Sequence, residues 1–356
     1  GLAMYAIGYD IGSSSVKAAL VRIDTGEVVG VVQHPETEMT ISAPHPGWAE
    51  QAPETWWSSL CAATALLMQT TGVDPVDILS IGLGYQMHGL VLLGNRGNVL
   101  RPAIIWCDSR AVEAGERAFD EIGQDYCLHH LLNAPGNFTA SRCGWVRDNE
   151  PVLFDRVCWM MLPGDYIAMK LTGEITTTVP ALSEAMLWDF RNHMLSTEVM
   201  QHFGIDWQMI PPLTGTFDLQ GKVSAEAAAE SGLKEGTPLT YRAGDQPNNA
   251  LALGVMNPGH VVASGGTSGV VYGIVDRLAS DALSRVNSFA HVNHNADRPR
   301  IGLLLCINGA GIQYAWMRQH LAQQGTSYME MEAMVADIAV GSDGLTILPF
   351  GNGAER

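Results

Sequence analysis

Apolar residues alternate with small or polar ones from Tyr5 to Ile11, a period of two that predicts a strand. Gly12-Ser13-Ser14-Ser15 reads as a tight loop, and Val16 to Ile23 as a second strand rich in Val, Ala and Leu. Asp24-Thr25-Gly26 supplies hairpin-turn chemistry before a third strand, Glu27 to Gln33, so the chain opens as a three-stranded antiparallel meander. Trp56, Trp57, Leu60, Ala63 and Leu67 recur at helical spacing, with Pro53 in the first turn. Ile78 to Tyr85 reads as a buried strand that ends in Gln86-Met87-His88-Gly89. A hairpin of Leu90–Leu93 with Val99–Ile105 is expected to deliver Trp106-Cys107-Asp108-Ser109-Arg110 at a strand end. The pattern is then mostly helical to about Gln208. Near Pro238 strands return: Leu239 to Ala243 leads into Gly244-Asp245-Gln246, a helix is expected over Pro247 to Leu253, and Val261–Ser264, Gly265–Gly269 and Val270–Val275 form strand, loop and strand. That unit repeats the first one, with Gly266-Thr267-Ser268-Gly269-Val270 matching Gly12-Ser13-Ser14-Ser15-Val16, a short sign of a duplicated module. The Gly/Glu/Pro-rich stretch from Gly232 to Pro238 is the expected boundary, giving lobes 1–236 and 237–356.

Composition narrows what these lobes do. The 356 residues suit about two domains with a sizeable core. The net charge of −17, from 20 basic and 37 acidic residues, disfavours a phosphate-backbone footprint, so neither nucleic acid nor an anionic membrane surface is an expected partner. Any phosphate on a ligand must be met locally, by backbone N–H groups, a metal or one or two basic side chains. The six cysteines form no C-x-x-C and the histidines no zinc-type cluster, which reads as reduced structural thiols in a cytoplasmic protein. No secretory signal or transmembrane run is read from the sequence.

Three groups of residues carry candidate chemistry. The two loops of small hydroxyl residues and glycine let backbone N–H groups converge on phosphate oxygens, and Asp10, two residues before the first loop, is placed to hold Mg²⁺; ordinary tight turns are the alternative. Asp245 follows a strand and opens a helix, where a carboxylate can take a proton from an acceptor hydroxyl or simply cap the helix. Gln86, Met87 and His88 lie at the lip of a sheet, where small ligands usually bind, although a structural histidine fits the same pattern. Trp106, Asp108 and Arg110 suit a polyhydroxylated ligand, and an internal Asp–Arg ion pair explains the last two equally well.

Taken in order, these residues resemble the FGGY carbohydrate kinases, and among them the xylulose kinases. The resemblance runs through Gly8-Tyr9-Asp10-Ile11-Gly12-Ser13-Ser14-Ser15-Val16-Lys17, Gly47-Trp48-Ala49-Glu50-Gln51, Gln86-Met87-His88-Gly89, Arg101-Pro102-Ala103-Ile104-Ile105-Trp106, Leu162-Pro163 with Asp165-Tyr166, Gly244-Asp245 and Gly265-Gly266-Thr267-Ser268-Gly269. It implies an α/β, actin-like or ribonuclease-H-like two-lobed ATPase fold that uses ATP and Mg²⁺, with the sugar held mainly by the first lobe. It implies Asp245 as general base, Gln86, Met87, His88, Trp106, Asp108, Arg110 and Gln246 on the sugar, and Asp10 on the metal. Gly12, Ser13, Ser14, Ser15, Lys17, Gly265, Gly266, Thr267 and Ser268 are implied on the nucleotide. The implied reaction is attack of the 5-OH of D-xylulose on the γ-phosphorus of ATP. A kinase for ribulose, fuculose or glycerol, and a non-catalytic actin-like sugar or nucleotide sensor, are the alternatives; a homodimer is carried as an expectation. The chain departs from the family at Gln246, where Asn is usual, at Arg142, where Lys is usual, and in the middle of Leu348–Arg356. Family members continue past Arg356 through the segments that hold adenine, so an incomplete second lobe is expected.

Overall fold

The computed structural model describes residues 2–266 and 268–349. Its first lobe is built on β1 (Tyr5–Ile11), β2 (Val16–Arg22) and β3 (Val28–His34), an antiparallel meander as the alternation predicts. In β1 the period of two buries Ile7, Tyr9 and Ile11 and turns Gly8 and Asp10 to the open face. Helix α1 (Pro53–Thr71) packs across β2 and β3, starts on Pro53 and stops at Gly72, whose φ of 70° takes the left-handed cap. Its Trp56, Leu60 and Leu67 are fully buried, each worth about 1.5–3 kcal/mol of transfer from water.

Strand β4 (Ile78–Tyr85) adds to β1 in parallel. Between it and the next strand of this sheet lie α2 (Thr139–Asn149), α3 (Pro163–Thr172) and α4 (Val179–Glu184). Strand β5 (Leu239–Gly244) then returns parallel to β4, giving the order β5-β4-β1-β2-β3. The first sheet therefore runs past the boundary expected near 236/237, and the second sheet starts only at Val261. Helix α5 spans Asp245–Ala252, beginning two residues before the expected Pro247, because a proline in the first helical turn has no intrahelical N–H bond to lose.

The hairpin expected over Leu90–Ile105 forms only in part. Val91–Leu93 pairs with Trp159–Met161, and Ala103–Ile104 pairs with Glu50–Gln51, leaving single bridges at Leu90–Ile104 and Leu93–Val99. The local turn is present, with the Gly94 N–H donating to the Asn98 carbonyl at 2.9 Å, but longer-range partners take the flanking strands.

The second lobe, as described, has β6 (Val261–Gly265), β7 (Gly269–Val275), β8 (Asn287–Ala290) and β9 (Ile301–Ile307) in the order β6-β7-β9-β8, all antiparallel, followed by α6 (Gly311–His320) and α7 (Tyr328–Val335). The series β6-β7-β9 repeats the meander β1-β2-β3, with β8 added at its edge. That edge docks on the first lobe. The Asn133 side chain accepts from the Ser288 N–H at 2.9 Å and donates to the Ser288 carbonyl at 2.7 Å, and Ser183 Oγ accepts from the Ala290 N–H at 3.0 Å. Among the described residues no helix is long and apolar enough to cross a membrane.

Candidate active site

Three parallel strands end side by side. In their register Asp10 lies opposite Gly84, and both Ile11 and Gly244 lie opposite Tyr85, so Asp10, Gln86 and Asp245 leave adjacent strands at one edge. Carboxyl ends of parallel strands are where ligands of such sheets bind. Asp245 is the first residue of α5; Gly244 takes the cap position and no side chain caps this helix. Burial pushes the Asp245 carboxyl up to about 7, the charge of Asp10 adds to the rise, and the backbone N–H groups of Gln246 and Asp245 pull the other way. Asp10 is itself raised by loss of water and drawn down by Lys17, its cross-strand partner. Gly244 matters sterically: a Cβ there would lie 2.7 Å from Met87 Cγ, so the glycine lets Met87 rest against the strand end beside Asp245.

His88 adopts a φ of 66°, a conformation few non-glycine residues take, and neighbours on both sides hold it there. Its N–H donates to Glu184 Oε2 at 2.8 Å, and its Nδ1 lies 3.0 Å from the Glu184 carbonyl oxygen. A carbonyl only accepts, so Nδ1 carries the proton. The ring sits against Phe138 and, from the second lobe, Phe289, with centroids 4.4 and 5.4 Å away. On the other side the buried Arg142 guanidinium donates to the carbonyls of His88, Trp106 (3.1 Å) and Asp108 (3.2 Å), tying the His88 turn to the Trp106–Asp108 loop; burial lowers its pKa to about 10. Glu184 is 2% exposed, and its other oxygen is bonded to the Tyr85 hydroxyl. Sequence reading assigned no role to Glu184 or Tyr85 and treated Arg142 only as a departure. The one signal was a charged residue inside an apolar helical stretch.

The remaining predicted sugar-side residues separate into two kinds. Trp106 is exposed, and its Nε1 donates to Ser13 Oγ at 3.2 Å, joining the aromatic face to the first small-residue loop. Asp108 and Arg110 follow the ion-pair alternative: they meet at 2.7 Å, the guanidinium also reaches Glu50 at 2.8 Å and lies 3.8 Å from the Trp48 ring, and Asp108 accepts from the Ala49 N–H at 2.7 Å. Gln86 is buried, with neither amide atom hydrogen-bonded among the described residues, and Gln246 is partly buried in the first turn of α5. A cavity of about 880 Å³ opens on the Trp106 side, walled by Trp106, Ser109 and Phe138 of one lobe and by Ser268, Asn287 and Asn308 of the other. Asp245 is not part of its wall.

Both loops are held in shape by their backbones. In the first, the Gly12 N–H donates to the Ser15 carbonyl at 3.0 Å, while the Ser13 and Ser14 carbonyls accept from Gln51 Nε2 at 2.5 Å and from the Met39 N–H at 2.7 Å. In the second, Gly265 pairs with Gly269 across the hairpin; the Gly266 N–H donates to the Ser268 carbonyl and the Gly266 carbonyl accepts from the Gly311 N–H, both at 2.9 Å. That last bond sets the loop at the amino end of α6, where backbone N–H groups favour anions. Thr267 lies outside the described residues. No group of three or more His, Cys, Asp or Glu among the described residues could hold a metal alone. Mg²⁺ bound with nucleotide phosphates needs only one or two carboxylates alongside its waters, and Asp10 can supply one.

Residues 5–252 match the family described as the FGGY family of carbohydrate kinases, N-terminal domain. The xylulose kinase of Bacillus subtilis (strain 168) is 30% identical over 351 residues, covering 97% of this chain and 68% of the relative. That of Escherichia coli (strain K12) is 32% identical over 286 residues, covering 80% and 57%. The crystal structure of xylulose kinase from Rhodospirillum rubrum superimposes with a TM-score of 0.88 at 29% identity, covering 98% of this chain and 71% of that one. Gluconate kinase from Lactobacillus acidophilus, at 20% identity and a TM-score of 0.89 over 99% of this chain and 69% of that one, shares the fold. The chain thus spans 68% and 57% of the length of the two curated relatives named here.

Proposed function

We propose, from the premise that the chain belongs to the FGGY family of carbohydrate kinases, that it supports ATP-dependent phosphorylation of a ketopentose, D-xylulose to D-xylulose 5-phosphate, with Asp245 as general base. One observation carries the assignment of the base. Asp245 leaves the central sheet edge with its pKa raised to about 7, beside Met87 on one side and near Asp10 on the other. A carboxylate poised near neutrality accepts a proton from a hydroxyl most effectively at working pH. In this reading the sugar lies against Met87, His88 and Trp106, with its terminal hydroxyl toward Asp245. Gln86 and Gln246 border the same edge. Asp108 and Arg110 act indirectly, by bracing the loop that carries Trp106.

The γ-phosphate is directed at that hydroxyl by backbone N–H groups of Ser13 to Ser15 in the first loop and of Ser268 in the second, with Gly12, Gly265 and Gly266 leaving room for close approach and Lys17 adding positive charge. Asp10 would hold the nucleotide's Mg²⁺, which draws charge off the transferring phosphoryl group. The protein's own share is positioning and proton acceptance: as the hydroxyl oxygen bonds to the γ-phosphorus, the bond from that phosphorus to the β–γ bridging oxygen breaks, ADP leaves with the electron pair, and the hydroxyl proton passes to a carboxylate oxygen of Asp245.

The test is a coupled ATP assay over a panel of ketopentoses, polyols and aldonic acids, with sugar binding measured by calorimetry. D-xylulose is expected to be turned over, and Asp245→Ala to abolish turnover while leaving sugar affinity within a few-fold. Near-normal turnover by the Ala variant overturns the assignment of the base. A second reading, a kinase for another sugar or polyol, draws on Gln246. This side chain is one methylene longer than the family's usual Asn and gives the acceptor edge a different shape; the same panel decides between the two readings.

A further inference from the structure

We infer that Glu184 is a positioning residue of the acceptor site: its buried carboxyl holds the turn that presents Met87 and His88 and braces the strand end that presents Asp245. The inference rests on the sugar-kinase reading above. An acidic side chain that is 2% exposed needs hydrogen bonds to stay buried, and Glu184 spends all of its oxygens on the site. Oε1 is bonded to the Tyr85 hydroxyl, Oε2 accepts from the His88 N–H, and its backbone carbonyl accepts from His88 Nδ1. One residue thus fixes both the peptide and the ring of His88, at a φ of 66° that few side-chain-bearing residues adopt. Oε1 also lies 3.4 Å from where a Cβ on Gly244 would sit, so the carboxyl packs on the residue immediately before Asp245.

The groups facing this carboxyl are Tyr85 and His88 from the end of β4, Asp245 from α5 and Asp165 from α3, the last paired with Arg242 of β5 at 3.4 Å. Among the described residues no Lys or Arg side chain pairs with Glu184, whose Oε2 lies 3.7 Å from His88 Nδ1, and burial, with Asp245 and Asp165 nearby, holds it well above the usual carboxylate range. Both carboxyl oxygens act as acceptors: the Tyr85 hydroxyl donates to Oε1 and the His88 N–H to Oε2. Glutamine keeps an acceptor for the His88 N–H in its carbonyl, and its NH₂ donates to the Tyr85 oxygen where the carboxyl accepted from it. Methionine keeps the volume and makes neither bond.

The experiment compares wild type, Glu184→Gln and Glu184→Met by two readouts. The first is hydrogen exchange at the His88 amide in the ligand-free protein, with amides in α1 as the internal reference. The second is D-xylulose binding by calorimetry. The Met variant is expected to speed His88 exchange at least 10-fold without changing the reference amides, and to weaken sugar binding at least 10-fold. The Gln variant is expected to stay within about 3-fold of wild type on both. Unchanged exchange and binding in the Met variant overturn the inference, as does a Gln variant as impaired as Met. A wild-type chain that binds no ketopentose overturns the sugar-kinase reading and with it the acceptor role; the exchange readout then still decides whether Glu184 holds the His88 turn.

Discussion

Replacing Asp245 with Asn is expected to leave the protein more stable and without its base. The carboxyl is displaced from 3.8 to about 7, roughly three pKa units, each corresponding to about 1.36 kcal/mol. Linkage fixes the sign. Between about pH 4 and pH 7 the folded chain holds a proton at this site that the unfolded chain has lost, so stability falls as pH rises and the full penalty is present above pH 7. Its ceiling is about 4 kcal/mol. The side chain is only partly buried, and solvent screening brings the expected figure to about 2 kcal/mol. Asparagine sheds the charge and keeps an oxygen for the N–H groups at the start of α5. Urea unfolding of the ligand-free protein, followed by tryptophan fluorescence, measures this with the chain as it stands. Asp245→Asn should gain about 2 kcal/mol at pH 8 and only a few tenths at pH 4, where the folded wild-type carboxyl is protonated and the unfolded one is about half ionised. A variant no more stable than wild type at pH 8, or equally advantaged at pH 4, refutes the claim that burial and Asp10 strain this group.

Three further outcomes are expected. If Asp245 is the base, kcat/KM for the sugar should fall about tenfold from pH 8 to pH 6, as its ionised fraction drops from about nine-tenths to about one-tenth; a flat pH–rate profile contradicts this. Gly164→Ala should cost about 1–3 kcal/mol in denaturant unfolding, because the new Cβ would lie 2.2 Å from the Tyr85 ring in a closed part of the core, and sugar affinity should fall with it. Arg142→Lys should cost about 2 kcal/mol and weaken sugar binding several-fold, since an ammonium cannot serve the carbonyls of His88, Trp106 and Asp108 together; wild-type affinity in that variant would show that the clasp is dispensable.

Much of this site could be read from the sequence, because it is built where local signals are strongest. The strand from Tyr5 to Ile11 and the one from Ile78 to Tyr85 were legible from alternation and from a largely apolar run, and both end where predicted. Their Gly, Ser and Asp punctuation marked the loops that follow. The sequence could not give the partners of Val91–Leu93, because Trp159–Met161 lies more than sixty residues away and long-range pairing leaves no local trace. Asp108 and Arg110 showed their chemistry without its direction, since ion pair and ligand contact use the same residue types. Glu184 and Arg142 were least legible. In a helical pattern a charged residue reads as solvent-facing, and only the tertiary structure brings Tyr85, His88 and the loop carbonyls to meet these two inside the core.

The edge strand β8 carries a consequence for solubility. An antiparallel strand bonds its neighbour through alternate residues only, so the outward peptide groups of Ser288 and Ala290 are unspent by β9 and form a template onto which a foreign strand could add. Asn133 meets the Ser288 peptide as another backbone would, donor to carbonyl and carbonyl to N–H, and Ser183 takes the next outward N–H. Two side chains of the first lobe thus stand in for a missing strand. Keeping the lobes docked along this seam also keeps the protein from polymerising through it, so variants that loosen Asn133 or Ser183 should show themselves first as aggregation on storage.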